Sequence, residues 1–377
     1  MQILVLNSGS SSIKYRVYDG DELLIKGLIE QIGEPGSPVP DHMAGFRDLM
    51  TRLADAGLSD GLDAIGHRVV HGGEEFVEPS IIDASVIERI RAQIPLAPLH
   101  NPANLTGIEV AYQLRPDLRQ VAVFDTAFHR TMPPRAYRYA LPESLYVQHG
   151  VRRYGFHGTS HAFVAEEAVA HLGRSLDESN LITLHLGNGA SIAAIEGGRS
   201  VDTSMGMSPL EGLVMGTRSG DIDPAIVFHL VRDAGMAPAE VEVMLNHESG
   251  LKGLCGDNDM RTIQHRADGD DEAASLALDV YCYRIKKYLG AYYAVLGRVD
   301  AIVFTGGVGE NQPGVRARVT AGLDRLGIVI DPARNAHADP THGPAPIHAE
   351  GSEVALMVVA TDEELSIARQ ARIRLAA

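Results

Sequence analysis

The chain has 377 residues, of which 45% are apolar and 22% charged, which is enough apolar sequence for two domains with cores of their own. Its formal net charge of −16 argues against nucleic acid as a partner, because binding of phosphate backbones needs clustered Lys and Arg. No apolar stretch is long enough to span a bilayer, and the N-terminus enters a strand with no basic region before it, so we expect a cytoplasmic protein with no membrane partner.

Short apolar runs alternate with helical patterns along the chain, which predicts an α/β protein. The clearest helix is predicted over 273–296, and a final helical run over 362–375 is expected to pack back on the first half of the chain. The predicted strands cover residues 3–6, 12–18, 64–70, 121–125, 182–186, 191–195, 301–305 and 354–360.

The segments between these elements carry weaker signals. Residues 33–40 are predicted to form a loop and 334–348 to be irregular, since both are rich in Pro with Gly or His. The boundary between the two halves of the chain is expected around residues 129–154. Cys255 and Cys282 lie 27 residues apart without a CxxC spacing, so we expect two unpaired thiols that serve as packing residues.

A short apolar strand that runs into a turn of small residues occurs twice, as ILVLNSGSSSIK over 3–14 and LITLHLGNGASI over 181–192. A third strand ends in FTGGVGEN over 304–311. Gly and Ser leave several backbone N–H groups free to point at one anion, and Lys14 adds a charge after the first turn. Two similar halves that hold a polyphosphate between them are therefore predicted. The alternative is that each turn is a plain hairpin connection, since DG and GG pairs follow.

Three charged or titratable side chains lie among glycines and just after predicted strands. They are Arg68 in AIGHRVVHGG, His157 in RYGFHGTSH and Arg218 in MGTRSGDIDP. Backbone and side chain can approach a ligand together at such positions, which favours an anion site. Taken singly, each Arg could instead form a surface ion pair and the His could be a satisfied core residue.

The chain resembles acetate kinase and is similar to that family from residue 3 to about residue 370. Propionate and butyrate kinases share much of the same pattern, so the resemblance identifies the enzyme class better than the acyl chain. The motifs that carry it are LVLNSGSSSIK, HRVVHGG, APLHNPANL, VFDTAFH, YGFHGTSH, LHLGNGASI, DTSMGMSPLEGLVMGTRSGDIDP, YRIKKYLGAY, FTGGVGEN and TDEE.

The resemblance implies two ribonuclease-H-like domains of the actin, Hsp70 and sugar kinase superfamily, with a cleft between them. Residues 1–128 plus 364–377 would form the first domain and 129–363 the nucleotide-binding domain. The implied reaction is the reversible, Mg²⁺-dependent transfer of the terminal phosphoryl group of ATP to acetate, with Mn²⁺ as a possible substitute for Mg²⁺. The resemblance also implies a homodimer. A carboxylate needs no strong general base, so catalysis would rest on positioning and charge neutralisation.

By the same resemblance, four residues would be catalytic. Arg68 and Arg218 would flank the acetate carboxylate and the transferring phosphoryl group, and His157 would contact that group in the transition state. Asp125 would be the catalytic carboxylate, and we assign it to orienting an Arg or the metal shell because acetate carries no proton to remove. From the residues alone, Asp125 could equally be a turn former at the end of a buried strand.

The resemblance also implies the remaining binding residues. The acetate methyl group would lie in an apolar pocket of Val70, Leu99, Phe156 and Pro209. Mg²⁺ would be held by Asn7 and Glu363, partly through water. The residues expected to bind ATP or ADP are Ser10, Ser12, Lys14, His185, Leu186, Gly187, Asn188, Gly189, Asp259, Met260, Arg261, Gly307, Val308, Gly309, Glu310 and Asn311.

One segment departs from the family pattern. The family commonly has small hydroxyl residues where this chain has Asp257 and Asn258, which adds a negative charge near the expected ribose and base. Two other classes of function remain open. A sugar kinase of the same fold would use Asp125 as a base for a hydroxyl group, although it would not need two Arg clamps. A non-catalytic ATP-binding module would bind nucleotide without forming an acyl phosphate.

Overall fold

The computed structural model describes residues 1–377, and they form two compact units. Unit 1 consists of Met1–Arg130 together with Asp362–Ala377, and unit 2 consists of Thr131–Thr361. No helix is both long enough and apolar enough to cross a bilayer.

Twelve strands form two six-stranded sheets, one in each unit. They are β1 Gln2–Ser8, β2 Ile13–Asp19, β3 Glu22–Ile29, β4 Leu62–Val69, β5 Ser80–Ile81, β6 Arg119–Phe124, β7 Asn180–Leu186, β8 Ala190–Glu196, β9 Arg199–Thr203, β10 Ala301–Thr305, β11 Ala345–Pro346 and β12 Ala355–Val358.

Fifteen α-helices connect and cover these strands. They are α1 His42–Asp55, α2 Ala84–Ala92, α3 Asn101–Leu114, α4 Pro134–Tyr137, α5 Glu143–His149, α6 Gly158–His171, α7 Ala225–Arg232, α8 Pro238–His247, α9 Gly250–Cys255, α10 Met260–Asp268, α11 Glu272–Leu296, α12 Gly306–Asn311, α13 Pro313–Thr320, α14 Pro332–Ala336 and α15 Glu363–Ala376.

The two sheets have the same strand order. The sheet of unit 1 runs β3-β2-β1-β4-β6-β5, and the sheet of unit 2 runs β9-β8-β7-β10-β12-β11. In each sheet the first three strands are antiparallel neighbours, and the first strand then pairs in parallel with the fourth in order. The duplicated motif of the sequence therefore reflects a duplicated sheet. This is the ribonuclease-H-like arrangement of the actin, Hsp70 and sugar kinase superfamily, so the predicted fold class is confirmed.

The core of unit 1 lies on both faces of its sheet. Side chains of α1 and α3 pack on one face with Leu4, Leu6 and Ile65. On the other face α15 packs against β1, β4 and β6. Asp362 caps the start of helix α15, and its side chain accepts a hydrogen bond from the backbone N–H of Leu365. The final helix therefore packs on the sheet of unit 1.

Tight hairpins join the antiparallel strands, as the DG and GG signals predicted. Gly20 has φ +58° in the β2–β3 turn, and Gly197 and Gly198 have φ +54° and +74° between β8 and β9. These left-handed values fit Gly because it lacks a Cβ atom.

Each predicted strand overlaps an observed one, and the predicted long helix matches α11. Two predictions were wrong in part. The third anion turn is instead helix α12, which begins directly after β10, and the segment predicted to be irregular contains β11 and the end of α14. Cys255 and Cys282 are both unpaired and buried, as expected.

Candidate active site

The first group of site residues lies at the carboxyl ends of β4 and β6. These strands are parallel neighbours, so Arg68 near the end of β4 comes beside Asp125, which directly follows β6. Arg68 donates from Nη2 to Asp125 Oδ2 at 2.6 Å and from Nε to both carboxylate oxygens at 3.1 Å. Asp125 is 1% exposed and the Arg68 side chain 20% exposed. The pair is thus fixed in a fork geometry that keeps Nη1 of Arg68 available for a ligand.

The electrostatic environment holds Arg68 in its charged form. Burial works to lower the pKa of Arg68, but the charges of Asp125 and Glu363 outweigh this effect, and the pKa is raised above the ordinary arginine value. Burial raises the pKa of Asp125, and the charge and hydrogen bonds of Arg68 oppose that rise. The function of Asp125 that this contact favours is to orient a guanidinium group, because both of its oxygens already accept from Arg68.

The start of α15 adds carboxylates to the same unit. Glu363 Oε2 lies 3.7 Å from Arg68 Nε, and Glu364 Oε1 lies 2.6 Å from Lys14 Nζ. Lys14, which was predicted to line the phosphates, is therefore already paired with an acidic side chain. The turn after β1 is closed by the Gly9 N–H, which donates to the Ser12 carbonyl at 2.8 Å. Ser10 in this turn is exposed.

The donors predicted for the metal fit Mg²⁺. Asn7 belongs to β1 and Glu363 to the first turn of α15, and each side chain can bind a metal ion through oxygen. No group of three or more His, Cys, Asp and Glu side chains is arranged to hold a metal ion. Mg²⁺ usually keeps several waters and binds through one or two carboxylates together with substrate phosphates. Two oxygen-bearing side chains are therefore enough for Mg²⁺, whereas an ion without water ligands would need more ligands from the protein.

The four residues predicted for the acyl pocket divide equally between the units. Val70, which follows β4, and Leu99, which is 56% exposed, belong to unit 1. Phe156, which is 2% exposed, and Pro209 belong to unit 2.

In unit 2, two predicted catalytic side chains converge on the turn between β7 and β8. A Cβ atom at Gly189 would lie 3.5 Å from Arg218 Nη1 and 3.6 Å from His157 Nε2. His157 caps the start of α6 in a left-handed conformation, with φ 57°, and its ring stacks on His185 with centroids 4.2 Å apart. The missing side chain of Gly189 thus opens a space that both an imidazole and a guanidinium group face.

Arg218 is partly buried and has no carboxylate partner. Burial lowers its pKa, with no acidic group to offset the effect. Its one hydrogen bond runs from Nη1 to the Pro209 carbonyl at 3.3 Å. A partly buried guanidinium group without a counter-ion indicates a site for an anionic ligand.

Sequence reasoning missed the side chains that hold the segment bearing Pro209 and Arg218. Arg153 donates from Nη1 to the carbonyls of Ser204 and Met205 at 3.0 Å and from Nη2 to Glu211 at 2.6 Å. Tyr139 donates to the same Glu211 carboxylate and accepts from the Met207 N–H. The only signal in the sequence was the long motif itself, because its partners come from a segment 51 to 72 residues earlier.

A second feature of unit 2 is a cavity of about 790 Å³. Arg261, the one cationic side chain in its lining, donates to Asp259 at 2.6 Å, and this contact holds the pKa of Asp259 at about 2. The cavity therefore has no unpaired positive charge and suits the uncharged part of a nucleotide. Its lining residues that the sequence predicted are Gly187, Asn188, Asp259, Met260, Arg261, Gly307, Val308 and Asn311. Asn258, which the sequence analysis placed near the expected ribose and base, also lines it, and the lining residues that were missed are Gly216, Leu251 and Gln312.

Eight predicted nucleotide residues do not line this cavity. Ser10, Ser12 and Lys14 belong to unit 1, and Gly189 lies beside His157 and Arg218. The other four lie elsewhere in unit 2. Leu186 is fully buried, and Gly309 is buried where α12 follows β10. His185 bonds to Ser160 through Nδ1 at 2.8 Å. Glu310 accepts hydrogen bonds from the N–H groups of Gly306 and Thr361. The last two side chains therefore tie elements of unit 2 together.

Comparison with known proteins identifies the family of the chain. A profile of the acetokinase family matches residues 2–369. The chain belongs to the acetokinase family. This acetokinase chain is 56% identical over 391 residues to a protein of Streptomyces avermitilis named acetate kinase, with 98% of the chain and 96% of that relative covered.

Two solved structures show the same fold over the full acetokinase chain. A crystal structure of Porphyromonas gingivalis acetate kinase has a TM-score of 0.93 at 43% identity and covers 99% of each chain. A structure of a propionate kinase from Francisella tularensis has a TM-score of 0.92 at 42% identity and covers 98% of each chain. The family match thus extends over both units of the structure.

Proposed function

We propose that the protein is an acetate kinase, which reversibly transfers the terminal phosphoryl group of ATP to acetate and gives acetyl phosphate and ADP. The observation that carries the proposal is the convergence of Arg218, a guanidinium group with no carboxylate partner, and His157 Nε2 on Gly189. Membership of the acetokinase family, with relatives named acetate kinase at more than half identity, supports the acyl acceptor.

The chemistry follows from the charges of the reactants. Acetate is deprotonated at neutral pH, so one of its oxygens attacks the γ-phosphorus without a base. The new O–P bond forms as the bond from the γ-phosphorus to the bridging oxygen breaks, and ADP leaves with that electron pair. Two anions must be brought together, so the protein contributes positioning and positive charge.

Each catalytic side chain has a part in this transfer. Arg68, held by Asp125, binds the acetate carboxylate through Nη1, while Arg218 and His157 bind oxygens of the transferring group. Asn7 and Glu363 are the residues that would hold Mg²⁺, with water between. Mg²⁺ held there would supply positive charge that neutralises the phosphates.

The geometry at Asp125 disfavours a sugar kinase. A kinase for hydroxyl groups needs a base that can approach the acceptor proton. Both Asp125 oxygens accept hydrogen bonds from Arg68 in a bidentate contact, and the carboxylate is 1% exposed. We therefore assign Asp125 to orienting Arg68.

Propionate kinase is the second candidate, since a propionate kinase structure has a TM-score of 0.92. One methylene group is worth about 1 to 3 kcal/mol of discrimination in an apolar pocket, so acetate is a preferred substrate without excluding propionate. Trapping of acyl phosphate with hydroxylamine, using ATP, Mg²⁺ and acetate, propionate, butyrate or glycerol, tests both candidates. A signal that falls with acyl length supports acetate kinase, a maximum at propionate or butyrate changes the acceptor, and no acyl phosphate with any acid refutes the proposal.

Two arginine variants test whether Arg218 belongs to the active site. Arg218→Ala is expected to lower kcat at least 100-fold, because it removes a positive charge at the transferring group. Arg298→Ala is the matched control, since that side chain is 65% exposed in the same unit. Equal activity of the two variants would remove Arg218 from the site.

A cytoplasmic location of the protein stays a prediction. We also propose that the protein is a homodimer that associates through helix α7. Helix α7 has the apolar sequence AIVFHLVR but no buried residue, with Ile226 43% and Phe228 62% exposed. Its lack of acidic side chains would let a second copy approach despite the chain's charge of −16. Light scattering should give a dimer for the natural chain and a monomer for Phe228→Glu; a natural chain that remains monomeric refutes the dimer.

A further inference from the structure

A row of hydrogen bonds leads from His157 to side chains that are fully buried. Ser191 Oγ lies 2.9 Å from His157 Nδ1 and 2.7 Å from His161 Nε2. On its other side, His161 Nδ1 lies 2.7 Å from Thr183 Oγ1. His161, Ser191 and Thr183 have no exposed surface, so no bulk water competes for these contacts. The row connects the catalytic ring to the interior of the sheet through β7 and β8.

The direction of the hydrogen bonds decides which ring nitrogen of His157 carries a proton. A neutral imidazole donates from one nitrogen and accepts at the other. For His157 to donate to a phosphoryl oxygen from Nε2, its Nδ1 must be an acceptor, and Ser191 must then donate to it. The Ser191 oxygen in turn accepts from His161 Nε2–H, and His161 Nδ1 accepts from the Thr183 hydroxyl. Every hydroxyl proton and ring nitrogen in the row has a partner in this arrangement.

The reverse direction does not serve the reaction. If Nδ1 of a neutral His157 donated to Ser191, Nε2 would present a lone pair to the space beside Gly189 and Arg218. A lone pair repels a phosphoryl oxygen instead of binding it. The proton on Nε2, which faces that space, is therefore the useful one.

We propose that Ser191 is a positioning residue that holds His157 in the tautomer with its proton on Nε2, with His161 and Thr183 fixing the direction of the Ser191 hydroxyl. The inference rests on the proposed function, because it assumes that His157 binds the transferring phosphoryl group. Ser191 itself acts only through His157, whose Nδ1 it contacts. The expected consequence of losing this contact is a lower kcat with little change in the KM for ATP.

Kinetics of Ser191→Ala give the first test. We expect kcat for acetyl phosphate formation to fall about 10- to 100-fold, in the range of one misdirected proton donor. The KM for ATP should change less than about threefold, because Ser191 does not line the nucleotide cavity. Thr203→Val is the matched control: its buried hydroxyl group donates to the Ile192 carbonyl, one residue from Ser191, and not to a histidine. This control should keep the full kcat.

A double-mutant cycle distinguishes positioning from a general loss of packing. In a His157→Ala background, adding Ser191→Ala should have no further effect, since the group that Ser191 orients is gone. If Ser191→Ala lowers kcat by the same factor with and without His157, or leaves the natural kcat unchanged, the inference is refuted.

The ¹⁵N chemical shifts of His157 report its tautomer directly in the natural protein, so this test does not depend on the folding of a variant. They should show a single neutral tautomer with the proton on Nε2, and Ser191→Ala should give a mixture of tautomers. A proton on Nδ1 in the natural protein overturns the inference. Failure of the proposed function is recognised separately, because the natural protein would then form no acyl phosphate whatever tautomer it shows.

Discussion

Replacement of Gly189 by Ala tests the proposed phosphoryl site with a single methyl group. The new Cβ atom would lie 3.5 Å from Arg218 Nη1 and 3.6 Å from His157 Nε2, which are ordinary van der Waals distances. Gly189 has no positive φ, so Ala fits its backbone conformation. Because a Gly to Ala change restricts the unfolded chain, we expect the free energy of unfolding to stay equal or to rise by about 0.4 to 1 kcal/mol.

The effect on catalysis should be large although the fold is unchanged. A phosphoryl oxygen that accepts hydrogen bonds from both side chains needs to lie about 2.9 Å from each donor nitrogen, in the space that the methyl group fills. Loss of one donor at a developing negative charge costs about 100- to 1000-fold in kcat, or about 2.7 to 4 kcal/mol. Since the methyl group keeps the oxygen from two donors, we expect kcat to fall at least 100-fold.

The assay compares kcat, ATP affinity and thermal unfolding for Gly189→Ala and a control. Gly290→Ala is a suitable control, because nothing lies within 4 Å of a Cβ atom at this position in α11. It should keep full activity and gain about 0.5 to 1 kcal/mol from the higher helix propensity of Ala. A Gly189→Ala enzyme that is stable, binds ATP and retains at least a third of the natural kcat would refute the placement of the phosphoryl group between His157 and Arg218.

Three further predictions concern unit 1. Asp125→Asn should lower both kcat and the free energy of unfolding, the latter by about 3 kcal/mol, because Arg68 loses its buried counter-charge; a natural melting temperature would contradict this. Glu363→Gln should raise the Mg²⁺ concentration needed for half-maximal activity, and an unchanged Mg²⁺ titration would remove Glu363 from the metal site. His67 is buried beside Gln120, and burial lowers its pKa to about 4. The unfolded chain therefore binds the extra proton first, so stability should fall by about 3 kcal/mol between pH 6.5 and pH 4. Denaturant unfolding across this pH range should show a smaller loss for His67→Gln, and equal losses in the two proteins would exclude His67 as the cause.

The sequence predicted the sheet centres better than their edges. Apolar runs such as the one in β10 are buried on both faces, and they were placed correctly because burial leaves a continuous apolar signal. Strands β5 and β11 have only two residues each, which is too short for any periodicity. Edge strand β3 is mostly exposed or half-buried, and Lys26 and Gly27 interrupt its apolar residues, so it shows no continuous apolar run.

Within the site, local sequence predicted contacts between close strands but not those that depend on distant segments. Asp125 was assigned to orienting an Arg or the metal shell because acetate carries no proton to remove, and the structure pairs it with Arg68 from the neighbouring strand. The ion pair of Lys14 with Glu364 was not, because the two residues are 350 positions apart. Glu310 was predicted to approach the nucleotide because of its motif, but the helical geometry of α12 directs its carboxylate to Gly306 and Thr361. A motif identifies a segment, whereas the direction of each side chain depends on the helix or strand that carries it.

The return of α15 to unit 1 has a consequence for synthesis on the ribosome. Unit 2 is continuous in sequence, so Thr131–Thr361 can fold as soon as it has emerged. Unit 1 must wait for Asp362–Ala377, which supplies Glu363 near Arg68 and the helix that covers β1, β4 and β6. A nascent chain that is released before residue 362 therefore contains all four proposed catalytic side chains, but its first sheet has one apolar face exposed. Such a fragment should be recognised by chaperones and proteases, which limits the enzyme to chains that were translated past α15.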